Sequence, residues 1–238
     1  MAKYYDQLGW SEFSESLFPL LKEFVSNLSE KPSSYLDLAC GTGVLAYKLA
    51  SLNIKVTGVD WSPQMIKVAR GKQNGFSNRP EFIQQDISKL KLDKKFDLAG
   101  CFFDSLNHLK SPALVRDTFK AVASHLNENS WFIFDIVTRL GLENWKPYYD
   151  SHPDLYYVRE DADFDPDQNK ARVKIEAFIK IDSKNTTHIK EVFDEICIPT
   201  EDIQVYLSEA GFSKILIKPF VGGDTLRDSE RIMIYAKL

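Results

Sequence analysis

The chain has 238 residues, of which 44% are hydrophobic and 27% are charged, so it is long enough for one large domain or for a core domain that carries an insertion. Its formal net charge at pH 7 is −4 and it has no long basic cluster, which argues against nucleic acid as a partner. No apolar run approaches the roughly 18 residues of a membrane-spanning helix, so we expect no membrane partner.

The three cysteines are far apart in the chain and odd in number. Cys40, Cys101 and Cys197 therefore form neither a disulfide framework nor a pair of metal ligands. The opening residues, "MAKYYDQLGW", lack the basic region and apolar stretch of a secretory signal. We expect a cytoplasmic protein with reduced thiols and no metal site.

The first part of the chain alternates between helical and strand patterns. Apolar side chains over residues 11–28 predict a helix, with Pro19 as a break or a second start. Serine followed by proline, at Ser62 and Ser111, marks the starts of two later helices. The predicted strands lie at residues 33–40, 54–60, 81–86, 95–103 and 130–137, and helices lie at 43–52, 62–70 and 111–126. Strands that alternate with helices pair in parallel, so this order predicts a doubly wound α/β sheet.

The pattern changes after Thr138. Residues 171–181 alternate between apolar and mostly charged side chains, as a half-buried antiparallel strand does. Residues 154–164 and 188–198 are its predicted partners, which makes three strands.

A helical pattern returns at residues 199–211, with Thr200 as the N-cap and Gly211 as the stop. Two closing strands follow, at 213–220 and 230–238. The sequence therefore predicts an α/β core over residues 1–138 and 200–238, interrupted by an antiparallel β insertion over residues 139–199.

The turn "GTGVLA", at residues 41–46, satisfies the Gly-x-Gly-x-x-Ala fingerprint of dinucleotide-binding enzymes. Its glycines allow a tight turn and the close approach of a ligand. Asp60 ends the second strand, where an ionised carboxylate can accept both hydroxyls of a ribose. The turn thus predicts an adenosine-containing ligand, either a nicotinamide dinucleotide or S-adenosylmethionine.

Asp37 favours S-adenosylmethionine. Its carboxylate comes directly before the glycine turn, where it would repel a pyrophosphate and attract a sulfonium or an ammonium group. The helix that begins after Gly43 can still favour the carboxylate of a methionine moiety. A nicotinamide-dependent oxidoreductase and a non-catalytic protein that binds S-adenosylmethionine remain as alternatives.

Several motifs resemble those of the class I S-adenosylmethionine-dependent methyltransferases. "LDLACGTG", "GVDWSPQMIKVAR" and "FIQQDIS" resemble their first three motifs, and "FDLAGCFFDSLNHL" and "LSEAGF" resemble their fourth-strand region and their ending. Ala39 departs from the pattern, since glycine is commoner there. The resemblance implies a Rossmann-like methyltransferase sheet that is mostly parallel with an antiparallel last strand, and methyl transfer to a nitrogen or oxygen of a small-molecule acceptor.

The resemblance also implies roles for individual residues in binding the cofactor. The methionine end is expected beside Asp37, the backbone from Ala39 through Gly41 to Gly43, and the backbone of Cys101. Asp60 is expected to bind the ribose and Trp61 to lie against the adenosine. Asp86 and Ile87 are expected to recognise the adenine edge.

The sequence indicates the residues that contact the methyl acceptor less specifically than those that bind the cofactor. Asp104 and His108 are candidate catalytic residues, although a surface turn would explain them equally well. Candidate contacts to the acceptor are Tyr5, Asn107, Tyr156, Tyr157 and Arg159, whereas His125 and His152 are expected to be solvated.

The insertion resembles, by its position, the substrate-covering sheets of small-molecule N- and O-methyltransferases. Its apolar face needs a cover, which could be the rim of the core, a bound acceptor or a second copy of the insertion. We therefore expect a substrate lid or a homodimer contact.

Overall fold

The structure is a computed structural model that describes residues 1–73 and 77–238. Within those residues the strands form one seven-stranded sheet and one four-stranded sheet. The helices are α1 Glu12–Asn27, α2 Val44–Ala50, α3 Pro63–Gly71, α4 Pro112–Ser124, α5 Arg139–Glu143 and α6 Thr200–Glu209, with short 3-10 turns at Ala2–Tyr4 and Ile87–Lys89. The strands are β1 Ser34–Leu38, β2 Lys55–Asp60, β3 Glu81–Gln84, β4 Phe96–Cys101, β5 Leu126–Val137, β6 Tyr148–His152, β7 Tyr156–Asp165, β8 Lys170–Lys180, β9 Thr186–Ile196, β10 Lys214–Gly222 and β11 Ser229–Lys237.

The seven-stranded sheet has the order β10-β11-β5-β4-β1-β2-β3. Neighbours among β1 to β5 pair in parallel, and β11 runs antiparallel to both β5 and β10. This confirms the prediction of a mostly parallel sheet with an antiparallel last strand. From β1 the chain continues to β2 and β3 on one side of β1, and it then crosses to β4 on the other side, so the strand order reverses at β1. Ligands of open α/β sheets bind at such a reversal, beyond the carboxyl ends of the strands.

Helices cover both faces of this sheet. Helices α4 and α6 bury Val115, Phe119 and Leu207 against one face, and α1, α2 and α3 bury a second cluster that includes Leu21 and Leu49 against the other. The predicted caps of α3 and α4 are confirmed, because the Ser62 and Ser111 hydroxyls accept from the backbone N–H groups of Met65 and Leu114. Among the described residues, no helix has the length and apolar character needed to cross a bilayer.

Three local predictions are wrong. Helix α1 runs through Pro19 without a break. Proline cannot donate a hydrogen bond to the carbonyl of Glu15, but both residues are exposed, so that carbonyl can bond to water. The buried side chains of Leu17 and Leu21 hold the helix to the core. Thr200 is the first residue of α6, and its N-cap is Pro199, which has no capping side chain. His125, which was expected to be solvated, is buried. Burial is tolerated because its Nε2 accepts a hydrogen bond from the backbone N–H of Leu92 at 2.9 Å.

The second sheet has four antiparallel strands in the order β6-β7-β8-β9, one more than the pattern predicted. The missed strand, β6, is almost entirely exposed and therefore shows no alternation of apolar residues. The buried face of the sheet includes Val158, Ala177 and Ile179, and Leu8 packs against them. Residues 1–11, here called the N-terminal segment, thus provide much of the cover that the apolar face requires.

Candidate active site

The glycine turn between β1 and α2 presents its backbone to a cavity. Ala39, Gly41 and Gly43 have φ angles of 53°, 54° and 78°, in the left-handed region. A Cβ atom on Gly43 would lie 2.7 Å from the ring of Phe82, whereas one on Gly41 would meet nothing within 4 Å. Gly43 is therefore required for packing inside the fold, and Gly41 leaves an open approach to the backbone from outside.

Asp60 braces this turn from the end of β2. Its carboxylate accepts from the backbone N–H of Gly41 at 2.9 Å and from that of Ser62 at 2.8 Å. Burial raises the pKa of Asp60, and these two hydrogen bonds oppose the rise. Each oxygen of a carboxylate accepts more than one hydrogen bond, so capacity remains for ribose hydroxyls.

Asp37 is the clearest sign of a binding site for a cation. Its side chain is 3% exposed, and its Oδ2 has no hydrogen-bond partner. Burial, followed by the charge of Asp60, raises the pKa of Asp37 to about 8. A buried polar atom without a partner is costly, and a positively charged ligand would satisfy it. The chemistry of this site therefore fits S-adenosylmethionine, which carries a sulfonium and an ammonium group.

A cavity joins several of the predicted cofactor residues. Asp37, Ala39 and Gly41 line it from the core, together with Phe102, which follows Cys101 at the end of β4. Tyr5 of the N-terminal segment also lines it. Burial raises the pKa of the Tyr5 hydroxyl, and the charges of Asp104 and Asp60 add to the rise. Tyr5 therefore lies between the cofactor side and the carboxylates described below.

The residues expected at the adenosine lie at the ends of β2 and β3. Trp61 is 78% exposed, so its ring is free to stack against a ligand. One oxygen of Asp86 accepts from both the backbone N–H and the hydroxyl of Ser88, at 2.9 and 2.7 Å, which caps the turn that begins at Ile87. Ile87 itself is buried. Asp86 thus has the capping role that its position after a strand allows, and its other oxygen remains available.

A buried ionic network follows β4. Asp135 of β5 accepts from the backbone N–H groups of Phe103 and Asp104, at 2.7 and 3.1 Å, and so supports two consecutive residues with left-handed φ angles. Arg231 of β11 pairs with Asp135 and, at 3.2 Å, with Asp104. Asp104 is therefore buried rather than part of a surface turn. Sequence reasoning missed Asp135 and Arg231, although each is a charge inside an apolar strand, in "FIFDIV" and "ERIMIY".

His108 and Glu195 bring the core and the second sheet together. His108 Nε2 lies 3.8 Å from Glu195 Oε1, and Glu195 Oε2 has no partner although the residue is only 1% exposed. Burial lowers the pKa of His108, and burial followed by the charge of Asp104 raises the pKa of Glu195 to about 9. The ligand atoms of Asp104, His108 and Glu195 lie within 4.8 Å of one another, a group that the sequence did not indicate. Glu195 was not identified from the sequence, although a glutamate on the apolar face of β9 is a signal for a buried, functional carboxylate.

Asn107, a predicted acceptor contact, acts as a structural brace. It is fully buried, and its Nδ2 donates to the carbonyls of Val137 and Ile196 at 3.0 and 2.9 Å. Its Oδ1 accepts from the backbone N–H of Val137 at 3.1 Å. The side chain therefore ties the end of β9 to the end of β5.

The predicted acceptor contacts on β7 divide between two faces, because side chains alternate along a strand. Tyr157 and Arg159 lie on the outward face, where Arg159 pairs with Asp161, so the structure does not bring them to the other predicted site residues. Tyr156 is half-buried on the inner face, and its hydroxyl donates to Asp150 at 2.6 Å.

Comparison with known proteins finds methyltransferases among the similar chains. A family model described as a methyltransferase domain matches residues 36–129. The protein named "Putative methyltransferase YqeM" of Bacillus subtilis (strain 168) is 27% identical over 239 residues, which cover 98% of this chain and 90% of that protein.

Two solved structures share the fold over nearly the whole chain. An S-adenosylmethionine-dependent methyltransferase from Clostridium acetobutylicum ATCC 824 is 29% identical, with a TM-score of 0.82 over 100% of this chain and 97% of that one. The sugar N-methyltransferase KedS8 from Streptoalloteichus sp ATCC 53650 is 20% identical, with a TM-score of 0.77 over 98% and 92% of the two chains.

The strand order, the glycine turn and these likenesses together define an enzyme that transfers methyl groups. The chain is a class I S-adenosylmethionine-dependent methyltransferase. The nicotinamide alternative is thereby set aside.

Proposed function

We propose that the enzyme methylates a nitrogen or an oxygen of a small molecule that binds between the carboxyl ends of β4 and β5, the N-terminal segment and β9. The observation that carries this proposal is the polar group formed by Asp104, His108 and Glu195, here called the polar chamber, because the charge of Asp104 acts on Tyr5 and Tyr5 also lines the cofactor cavity. KedS8 shares only the fold at 20% identity, so the chamber itself has to decide the chemistry of the acceptor.

The residues that we propose for the cofactor are those predicted from the sequence. Asp37 and the turn from Ala39 to Gly43 hold the methionine end beside Cys101, and Asp60 binds the ribose. Trp61, Asp86 and Ile87 bind the adenine. When bound, S-adenosylmethionine supplies an electrophilic methyl group on a sulfonium with a neutral leaving group.

The protein contributes position and the exclusion of water. Holding the acceptor atom about 3 Å from the methyl carbon makes the reaction effectively unimolecular. The second sheet and the N-terminal segment act together as a lid, because Trp10 Nε1 donates to the Glu160 carboxylate at 2.6 Å and Leu8 packs beneath β7 and β8. Such a lid excludes water and selects the acceptor.

Transfer of label tests the proposal. The protein is incubated with methyl-labelled S-adenosylmethionine and a cell extract divided into low-molecular-weight, RNA and protein fractions. We expect label in the low-molecular-weight fraction. Label that appears only in RNA or only in protein would contradict a small acceptor.

A homodimer through the second sheet is a separate proposal, supported by the outward face of that sheet. Tyr157, Phe178 and Val192 are 41%, 39% and 62% exposed there, and exposed apolar groups of this kind mark interaction surfaces. Sedimentation velocity of the wild type and of Val192→Glu tests it. We expect a dimer that the substitution weakens, and a monomeric wild type at micromolar concentration would exclude it.

A further inference from the structure

We propose that the acceptor is an amine whose nitrogen binds between Asp104, His108 and Glu195, and that Glu195 takes the proton that this nitrogen must lose. The inference rests on the proposed function and narrows it from nitrogen or oxygen to nitrogen. It also makes Glu195, a residue of the second sheet, part of the reacting site.

The spacing of the three groups accommodates a single ammonium nitrogen. Three acceptors that each lie about 2.8 Å from one tetrahedral nitrogen stand about 4.6 Å apart. The ligand atoms of Asp104, His108 and Glu195 lie within 4.8 Å of one another, and the 3.8 Å between His108 Nε2 and Glu195 Oε1 leaves a nitrogen within reach of both.

The polar atoms of the chamber are ready to accept hydrogen bonds. Glu195 Oε2 is buried without a partner, and the 3.8 Å between Oε1 and His108 Nε2 is too long for a direct hydrogen bond. The lowered pKa of His108 leaves its ring neutral, with one nitrogen able to accept. An amine placed between them would donate to both and would satisfy Oε2.

The surrounding charges favour a cationic acceptor. Arg231 is the positive group facing the chamber, and it is already paired with Asp135 and Asp104. The charges that act on Glu195 are those of Asp104, Arg231 and Glu160, in which carboxylates outnumber the single guanidinium. A hydroxyl group brings no positive charge and would leave this excess uncompensated.

The proton balance is complete without a further reactant. The positive charge of R–NH3⁺ favours the ionised form of Glu195, which releases its own proton to solvent as the amine binds. The bound R–NH3⁺ then passes one proton to the Glu195 carboxylate, which leaves R–NH2 with a lone pair. That lone pair forms the new C–N bond as the C–S bond breaks, and the electrons of the C–S bond go to sulfur. The product leaves as R–NH2⁺–CH3, and Glu195 releases its proton to solvent. Burial raises the pKa of Glu195 and so brings it nearer to that of an aliphatic ammonium, which favours this transfer.

Blocking amines tests the identity of the acceptor. A low-molecular-weight extract is divided in two, and one half is acetylated with an N-hydroxysuccinimide ester that modifies amines. We expect methyl label in the untreated half and loss of most of it in the acetylated half. Equal label in both halves would overturn the amine while leaving the methyltransferase proposal intact.

Binding without turnover provides a second test. The protein is saturated with S-adenosylhomocysteine, and its melting temperature is measured with a panel of primary amines and the matching alcohols at millimolar concentration. We expect stabilisation by amines that Glu195→Gln abolishes. Glu191→Gln, an exposed glutamate on the same strand and face, should leave it unchanged. No preference for any amine over its alcohol would overturn the proposal, and so would tight binding of Mn²⁺ or Zn²⁺ that Glu195→Gln removes.

Kinetic measurements with the labelled acceptor distinguish a role of Glu195 in proton transfer from a role in packing alone. Glu195→Gln should lower kcat by about 100-fold or more and abolish the acidic limb of the pH profile, while the affinity for S-adenosylmethionine is unchanged. Glu195→Asp should restore part of the rate. A variant that changes only the KM of the acceptor, with kcat and the pH profile intact, would show that Glu195 does not take the proton.

Discussion

The carboxylate of Asp60 accepts a hydrogen bond from the backbone N–H of Gly41 at 2.9 Å. This contact joins the end of β2 to the glycine turn after β1, which are separated in sequence but adjacent because β1 and β2 pair in parallel. One carboxylate thus supports the turn, and we propose that it also binds the ribose of the cofactor.

The substitution Asp60→Asn tests that double role. An amide has a single acceptor oxygen, so one of the backbone N–H groups of Gly41 and Ser62 loses its partner, and the charged bond to the ribose is lost as well. We expect the affinity for S-adenosylmethionine to fall by about 1 to 3 kcal/mol in calorimetry. Asp93→Asn, at an exposed position, is the control. Unchanged affinity in a folded Asp60→Asn protein would remove Asp60 from the cofactor site.

The pH dependence of cofactor binding should report on Asp37. Its pKa of about 8 in the folded protein exceeds the ordinary 3.8, so the ligand-free fold loses stability as the pH rises through this range. A cationic ligand favours the ionised form, and binding at neutral pH therefore releases a proton. We expect affinity to rise from about pH 6 to about pH 7.5, by up to about tenfold per pH unit. Calorimetry in buffers of different ionisation enthalpy counts the proton, and Asp37→Asn should release none.

Gly43 is expected to be irreplaceable for packing. An alanine there must keep a left-handed φ of 78° and place its Cβ 2.7 Å from the ring of Phe82. These two effects together predict a loss of about 2 to 4 kcal/mol in the free energy of unfolding. Gly71→Ala is the matched control, because its Cβ would meet nothing within 4 Å. Urea unfolding compares the two, and equal stability would contradict this view of the turn.

The brace at Asn107 should control the attachment of the second sheet. Asn107→Ala leaves the carbonyls of Val137 and Ile196 and the N–H of Val137 without partners, for which we expect a loss of about 3 kcal/mol. Hydrogen exchange should accelerate first around the end of β9. If exchange instead rose uniformly over the chain, the brace would not be a local attachment.

Much of the fold could be predicted from the sequence, because its signals are local. The strands up to β5 are short apolar runs between turn residues, and the Ser-Pro pairs at Ser62 and Ser111 start helices by caps that lie within a few residues. At Ala39 the local signal was read incompletely. The sequence shows only that alanine replaces the commoner glycine, whereas the φ of 53° shows that the backbone conformation is the reason for a glycine at this position.

The acceptor side could be predicted only in part, because distant segments form it. Asp104 and His108 share a motif with Asn107, yet nothing nearby in the sequence tells which of them is a brace. Glu195 reaches the chamber from a different sheet. The inner face of β7 could have been read from Val158, whose apolar side chain places Tyr156 inside and Tyr157 outside.

The N-terminal segment contacts both halves of the site, since Asp6 accepts from the Thr42 hydroxyl at 2.6 Å and Trp10 bonds to Glu160. This position of the segment predicts the order in which the cofactor and the acceptor bind. Tyr5 of this segment lines the same cavity as Asp37, so we expect the segment to move away before the cofactor enters and again before its product leaves. We expect stopped-flow association to level off at high cofactor concentration, at the opening rate of the segment, and Trp10→Phe to raise that plateau. Initial-rate patterns should then be sequential, with cofactor first on and its demethylated product last off.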